Sequence, residues 1–573
     1  MRRHRLLPIL ASLGLLLAAC GTTSQGTPTA EPTGSDGPDA SGGGGGTATG
    51  GTVRIGLPGY PDSLHPGLAV LAESYTIYEL VYDTPITVTA QGEFVAKLAT
   101  DWTQSEDGLT WTVTLRDDAT FHDGEPLDAD DLAFSIEFFR DNVFALLTSY
   151  AEPFVEVNVV DATTIELTTA DEIPEVLFTT NLYAIYVLPE HIWASEDPQE
   201  FGNEEMIGSG PFTFVDATQG EFVELAANPD YWGTPPAIDG VIFQTITNAD
   251  ARITALTANP PQVDALSEFP ATAIPALQNA ENVVVNVAET PGGQLRDIFF
   301  NVTTEENCPP EDGVCSGHPA LKDLAVRQAL AHATNKEQLI QVATLGTGSP
   351  GLSLVTTTHG DFLNPDLEDY AFDIDEANRL LDEAGYEDTN DDGVRECLPD
   401  QDCPTGDLTF RLNFPDDSDT AAREAEQLQD TWNEVGVAVQ IQGFDPDTLT
   451  SLCCPGFDFD VIIWSWYTAI DAGGLLGVAT CAEIPSGFNE TGYCNPEYDA
   501  LFESQSIELD RDTRIEQIHE LQQILMDDVV YIVPYYFVSI QAWRTDTYTG
   551  WIEGSPTLGI EDPGQLIQLR PSE

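Results

Sequence analysis

Leu109-Thr110-Trp111-Thr112-Val113-Thr114-Leu115-Arg116 and, five residues on, Phe121-His122-Asp123-Gly124-Glu125-Pro126-Leu127-Asp128-Ala129-Asp130-Asp131 read as a strand, a turn and the start of a helix. Trp111, Val113 and Leu115 fall on one face of a period-2 run, the pattern of a strand with one buried side. Leu132, Ile136 and Phe139 then recur at helical spacing behind Asp128, whose carboxylate suits an N-cap. Between them His122-Asp123 resembles a catalytic dyad fragment. Its setting is that of a tight turn, with Asp123 closing the backbone and Gly124 taking positive φ. The alternation continues outward: helices are predicted at Leu321 to Ala333, Ala421 to Val435 and Arg514 to Met526, and Val461-Ile462-Ile463-Trp464 reads as a buried strand. The fold class is therefore α/β, without internal repeats.

Lys and Arg total 20 against 96 Asp and Glu, a formal charge of 20 minus 96, or −76. Nucleic acid is excluded as a partner, because phosphate backbones require clustered cations and Arg54, Arg116, Arg140, Arg252 and Arg327 are scattered singly. Disorder is excluded by 42% hydrophobic and 9% aromatic residues, enough for packed cores. Charge of one sign repels itself until salt screens it, so a saline habitat would suit this chain; an ordinary acidic secreted protein is the alternative.

Met1-Arg2-Arg3-His4-Arg5 is a basic n-region, and Leu6 to Leu16 is an apolar run too short to span a bilayer, the pattern of an export signal. Leu17-Ala18-Ala19-Cys20 follows and resembles the lipobox of bacterial lipoproteins. That resemblance implies cleavage before Cys20 and lipidation of its thiol, which anchors the chain to a membrane without crossing it. From Gly21 to Gly51 the sequence is Gly, Ser, Thr, Pro and Asp with Gly42 to Gly46 unbroken, a flexible tether with a reach of roughly 30 Å.

Eight further cysteines, an even number beyond an export signal, imply disulfides. Cys308 with Cys315 and Cys397 with Cys403 each enclose a short polar turn and are expected to pair. The other four are expected to bridge the Cys453-Cys454 turn to the Cys481 to Cys494 loop, since adjacent cysteines sit closer than a disulfide prefers. Zinc is disfavoured: no histidine lies at ligand spacing from these pairs and no Cys-x-x-Cys occurs.

Several segments, in order, match one family. After Leu98-Ala99-Thr100-Asp101-Trp102 and the opening stretch come Leu188-Pro189-Glu190-His191-Ile192, Gly208-Ser209-Gly210-Pro211-Phe212, Asn228-Pro229-Asp230-Tyr231-Trp232-Gly233, Val326-Arg327-Gln328-Ala329-Leu330 and Asn495-Pro496-Glu497-Tyr498-Asp499. The ordered set resembles the family 5 extracytoplasmic solute-binding proteins of ABC importers, the dipeptide, oligopeptide and nickel-binding type, over nearly all of Thr52 to Arg570. Two departures stand out: His65-Pro66 where members more often have Asp-Pro, and the cysteines from Cys453 to Cys494. The resemblance implies a two-lobed periplasmic-binding-protein-like fold (type II, cluster C) with an inserted domain. By it, residues 1–20 are the signal peptide, 21–51 the tether, 52–93 with 209–291 and 542–573 the first lobe, 94–208 the inserted domain, and 292–541 the second lobe.

A zwitterionic peptide needs a carboxylate for its ammonium, a cation for its carboxylate, and apolar walls. Asp471, a short loop after Val461 to Trp466, stands where the resemblance implies an Asp for the ligand amine, with Trp464 and Trp466 as walls or cation-π faces. Tyr75 follows a turn that lines the pocket in relatives, and Arg296 is the candidate cation, with a structural ion pair as its alternative. Asp388, Asn390, Asp392 and Glu396 resemble part of a calcium loop with Gly393 at its turn, but Pro399 stands where the bidentate Glu belongs. The expectation is a structural calcium or a solvated acidic turn, with no cofactor required. No G-x-S-x-G, H-E-x-x-H or nucleotide loop supports an enzyme. The expected function is a lipid-anchored receptor on the extracytoplasmic face of the cell membrane that captures a small solute, an oligopeptide first, and delivers it to ABC permease subunits. A nickel complex, haem or sugar are alternative ligands. A sensory lipoprotein and a secreted hydrolase are alternative functions.

Overall fold

The computed structural model describes residues 50–572 except 70, 90–92, 143, 145–146, 289–292, 310–312, 417, 455, 468–470, 485–487 and 556–558. Cys20 and the tether up to residue 49 therefore lie outside the described residues. Three main sheets organise the rest. One has seven strands in the order Val283–Val287, Ile540–Arg544, Ala265–Leu266, Thr52–Leu57, Gly240–Thr245, Phe222–Ala227 and Phe212–Thr218. The second has six, in the order Ser349–Pro350, Tyr531–Tyr536, Gln294–Phe300, Val461–Tyr467, Thr409–Pro415 and Ala438–Phe444. The third is a four-stranded antiparallel meander containing Thr110–Leu115.

The stretch quoted first forms as read. Trp111, Val113 and Leu115 are buried on one side of their strand, and Trp111 stacks on Phe178 at 4.1 Å between ring centroids. Gly124 takes φ +93 and the Asp123 carboxylate accepts from the Glu125 N–H at 3.1 Å, so the turn reading of His122-Asp123 holds. Helix Ala129–Asp141 starts on a capping box in which Asp128 accepts from Asp130 N–H and Asp131 accepts from Asp128 N–H. The meander and the seven-stranded sheet share one hydrophobic core, running from Val53 and Ile55 through Trp111 to Leu132 and Phe139.

The six-stranded sheet is buried on both faces. Ile298 and Phe300 point to a core closed by helix Asp419–Asn433 through Ala421, Ala425, Leu428 and Trp432, an i, i+4, i+7, i+11 stripe. Leu295 and Phe299 point to the other core, with Ile462, Tyr531 and Ile518. Each large apolar side chain so buried contributes about 1.5–3 kcal/mol, which is why this sheet tolerates a few polar groups inside it.

The chain passes between the two large sheets twice, after Val287 and after Tyr536, and the crossings are hydrogen-bonded to one another. Ala288 N–H donates to Ser539 C=O at 3.0 Å, and Phe537 N–H donates to Gln294 C=O at 2.9 Å. Two boundaries differ from the sequence reading. The hairpin of Ile86–Val88 with Phe94–Ala96 straddles the expected division at Phe94, and the strand returning to the first sheet begins at Ile540.

All eight cysteines of the folded region are paired. Cys308–Cys315 and Cys397–Cys403 pair as expected. The other four correct the sequence reading: Cys453 bonds its neighbour Cys454, and Cys481 bonds Cys494. The physical reason is that each pair closes its own segment, the first at the end of helix Pro446–Cys453, the second across the loop leading to the Asn495 N-cap, where the Cα atoms lie 4.6 Å apart. The structure also brings His318 Nε2 to 3.8 Å from Cys397 Sγ, a proximity that sequence spacing concealed, though Cys397 and Cys403 are bonded to each other.

Candidate functional site

A cleft of about 1060 Å³ opens between the two large sheets. The first lobe contributes Glu73 and Thr76 from helix Ala72–Val81, Arg252, the segment Ser267 to Thr272, and Glu561. The second contributes Arg296, Thr420, Arg423, Trp464, Ser465 and Tyr467, and the crossing segment Phe537 to Ile540 forms the floor. Much of the second-lobe wall comes from the ends of strands Gln294–Phe300 and Val461–Tyr467 and from the helix that follows strand Thr409–Pro415. Open α/β sheets place ligands at such strand ends.

Arg296 is held rather than free. Its Nε lies 3.0 Å from Glu424 Oε2, and its donors reach Tyr535 Oη, Trp464 C=O, Ser465 Oγ and Thr420 Oγ1. Burial alone would lower its pKa, but Glu424 and Tyr535 hold it above the ordinary arginine value. Of the two alternatives read for Arg296, the structural ion pair is the one observed, at the edge of the cleft.

One turn of helix away stands Arg423, which sequence reading missed. It lines the cleft half-buried; its Nε is sealed from solvent without an acceptor, and among the described residues no carboxylate pairs with it. In a chain with 96 acidic and 20 basic residues an unclaimed guanidinium facing a cleft is unusual. Its sequence signal was topological: a cation in the first turns of a helix just after a sheet strand.

The opposite wall carries Glu73, Glu268 and Glu561. Desolvation, then the nearby charges of Asp562 and Glu268, push the Glu561 carboxyl up to about 7, and its Oε2 is buried without a donor among the described residues. Tyr467 projects toward this wall from the second lobe, 76% exposed, and Glu268 and Glu73 add to desolvation in raising its phenol pKa. The first-lobe wall thus carries three acids beside Arg252, whose guanidinium donates to the Ile246 and Thr247 carbonyls, and the second-lobe wall carries Arg423 as its unpaired cation among the described residues.

The remaining expected residues are placed as follows. Trp464 lines the cleft. Trp466 does not; its indole N–H donates inward to Glu490 Oε2 at 2.8 Å and its ring packs on the second core. Asp471 is withdrawn as the amine ligand, because it is 4% exposed and both its oxygens are bonded to Arg514. Tyr75 donates its hydroxyl to Ala69 C=O at 2.9 Å and packs on Tyr78, while its neighbours Ala72, Glu73 and Thr76 face the cleft. In the acidic turn, Asp388 accepts from the N–H groups of Asp392 and Gly393, Asn390 from Asp392, Asp392 from Val394, and Glu396 from Thr389. These side chains are not gathered around a common point: among the described residues the one convergent trio of His, Cys or acidic ligand atoms is His318, Cys397 and Cys403.

Residues 93–474 match the family described as bacterial extracellular solute-binding proteins, family 5 Middle. A dipeptide-binding protein of Escherichia coli K12 is 26% identical over 502 residues, which cover 82% of this chain and 86% of that protein. The oligopeptide-binding protein AppA of Bacillus subtilis is 24% identical over 557 residues, covering 93% and 92%. Among solved structures, the ABC transporter substrate-binding protein CtaP of Listeria monocytogenes superimposes with a TM-score of 0.78 at 25% identity, covering 92% of this chain and all of that one.

Proposed function

The chain belongs to the family 5 bacterial extracellular solute-binding proteins, and from that premise we propose that it captures an oligopeptide in the interlobar cleft and presents it to the permease of an ABC importer. The observation that carries this reading is the opposition of charge across the cleft, Arg423 facing the first-lobe carboxylates Glu73, Glu268 and Glu561. A ligand with an ammonium at one end and a carboxylate at the other satisfies both walls in one orientation, its ammonium on the first lobe and its carboxylate on Arg423. Trp464, Tyr467 and Phe537 offer apolar contact between the ends. The volume lies at the upper end of the roughly 300–1,000 Å³ of small-molecule pockets, which leaves room for a peptide. The names of the two curated relatives point the same way.

No bond needs to be made or broken. A solute touching both walls stabilises the closed lobes by its excess affinity for closed over open, and the paired crossings are the place for that rotation. Lipidation at Cys20 would hold the receptor beside the permease on the extracytoplasmic face of the membrane, with the tether allowing it to reach.

Calorimetry with peptides of two to nine residues, free or amidated at the carboxyl end, tests this. The wild type should bind free peptides, and R423Q should weaken them by about 1.5–3 kcal/mol, the worth of a hydrogen bond to a charged group. Amidated peptides should bind weakly to both proteins and be indifferent to the substitution. Compaction around a nickel chelate, haem or a sugar, with every peptide ignored, would leave the family standing and remove the peptide.

A further inference from the structure

Two carboxyl groups meet inside the second lobe with no cation between them. Asp297, 0% exposed, projects from strand Gln294–Phe300 to the face carrying Leu295 and Phe299, and Glu490, 4% exposed, comes up against it from the loop before Cys494, close enough for each acid to act on the other. Neither Asp297 oxygen receives a donor from any other described group, and Glu490 Oε2 is taken by the Trp466 indole N–H. Ionised carboxylates only accept, so two of them can bond only if one brings a proton.

The other charged and titratable groups around the pair do not relieve it. Arg296 is next to Asp297 in sequence, but on the strand's opposite face, where Glu424 holds it at 3.0 Å. Tyr531, on the neighbouring strand Tyr531–Tyr536, is a buried phenol whose own ionisation is suppressed first by burial and then by these two acids. No other Lys, Arg or His faces the pair among the described residues.

We propose that Asp297 and Glu490 hold one proton between them and so make the second-lobe wall of the solute cleft responsive to pH. Arg296 favours charge on Asp297, which leaves Glu490 as the acid that donates. The link to the cleft is short. Glu490 holds the Trp466 indole, Asp297 lies directly across from Trp464 in the strand register, and Trp464, Ser465 and Tyr467 on that same strand line the cleft. Burial chiefly pushes Asp297 up to about 7 and raises Glu490 further. Acids raised in this way contribute stability that is fully present below their unfolded values and is lost as pH rises through the folded ones, so the wall loosens from neutrality upward. Removing the shared proton leaves two like charges in contact; Glu490 then separates from Asp297 and releases Trp466.

Infrared difference spectroscopy on the full folded chain without solute tests the proton itself. The wild-type minus E490Q spectrum at pH 6 should show the C=O band of a protonated carboxyl, and the band should vanish on alkaline titration together with a shift in tryptophan emission. Subtraction removes Glu79 and Glu561, which also hold protons near neutrality. D297N should keep the band but move its titration to lower pH, since the like charge is gone. A wild type without the band, or an E490Q protein with an unchanged pH-dependent emission, overturns the proposal. The second arm rests on the cleft reading: over the same pH range solute affinity should fall in wild type relative to E490Q, in which the ionisation of Glu561 is left as the cleft's own response. Affinity with the same pH profile in both proteins, with the band present, overturns the coupling to the cleft, and the peptide reading is judged separately by amidation.

Discussion

Arg514 clasps Asp471 with both terminal nitrogens, Nη1 to Oδ1 at 2.7 Å and Nη2 to Oδ2 at 2.9 Å, and the two residues are 2% and 4% exposed. Gln505 accepts two further bonds from the guanidinium, and the Gly473 N–H caps Asp471. Burial and these three bonds turn the carboxylate away from any solute amine. D471A is therefore expected to lose about 3–5 kcal/mol of stability by stranding a buried cation, while the folded fraction binds solute as before. A double variant with Leu for Asp471 and Met for Arg514 should recover most of that loss, because removing both charges removes the desolvation cost with the attraction. Urea unfolding and calorimetry separate the outcomes; a stable D471A protein that no longer binds would return Asp471 to the site.

This pair shows where sequence reading stopped. Period-2 and helical spacing located the Trp111 strand, the helix behind Asp128 and the buried strand Val461–Tyr467, because those signals are local. Asp471 and Arg514 lie 43 residues apart, and nothing local reveals that a partner arrives from another helix. Trp464 and Trp466 share a strand face, so alternation treated them alike; Glu490 turns the second one inward. Arg423 was passed over because helices after strands carry exposed cations routinely, and only the three-dimensional neighbourhood shows that no acid claims it.

Salt should raise the melting temperature. Screening acts on both signs of interaction: it weakens exposed pairs such as Arg379 with Glu376 and Glu383, each worth little on a surface, and it weakens repulsion among 96 carboxylates facing 20 cations. Repulsion has far more members. Between about 0.1 M and about 1 M the screening length drops from ~10 Å to ~3 Å, so most of the gain is expected there, read by calorimetry. Melting that falls with salt would mean that the exposed pairs outweigh the repulsion.

C20A should release the protein from membranes. No helix among the described residues is long and apolar enough to cross a bilayer, so the anchor proposed is the lipid on Cys20, and stable attachment by acyl chains takes two of them. Detergent phase partitioning of wild type and variant gives the answer, and a C20A protein that still enters the detergent phase would exclude this anchor.

His65 makes the first lobe acid-sensitive. Its Nδ1 accepts the Gly67 N–H at 3.0 Å, so the neutral ring carries its proton on Nε2, and Trp193, Phe144 and Phe138 surround it with centroids at 4.8, 5.7 and 6.2 Å. Desolvation lowers its pKa from 6.5 to about 4. A group whose folded pKa is depressed below its unfolded value stabilises fully above the unfolded value and loses that contribution as pH falls toward the folded one. Charging the ring would also break the Gly67 bond by placing a proton on Nδ1. H65N keeps an acceptor for Gly67 but cannot titrate, so it is expected to be less stable than wild type at pH 8 through lost ring packing, and the gap should narrow between pH 6.5 and 4. Carboxylates that destabilise both proteins in acid cancel in that difference. Melting curves of the two proteins across this range check it: a gap that stays constant down to pH 4 would mean that His65 titrates normally despite its aromatic cage.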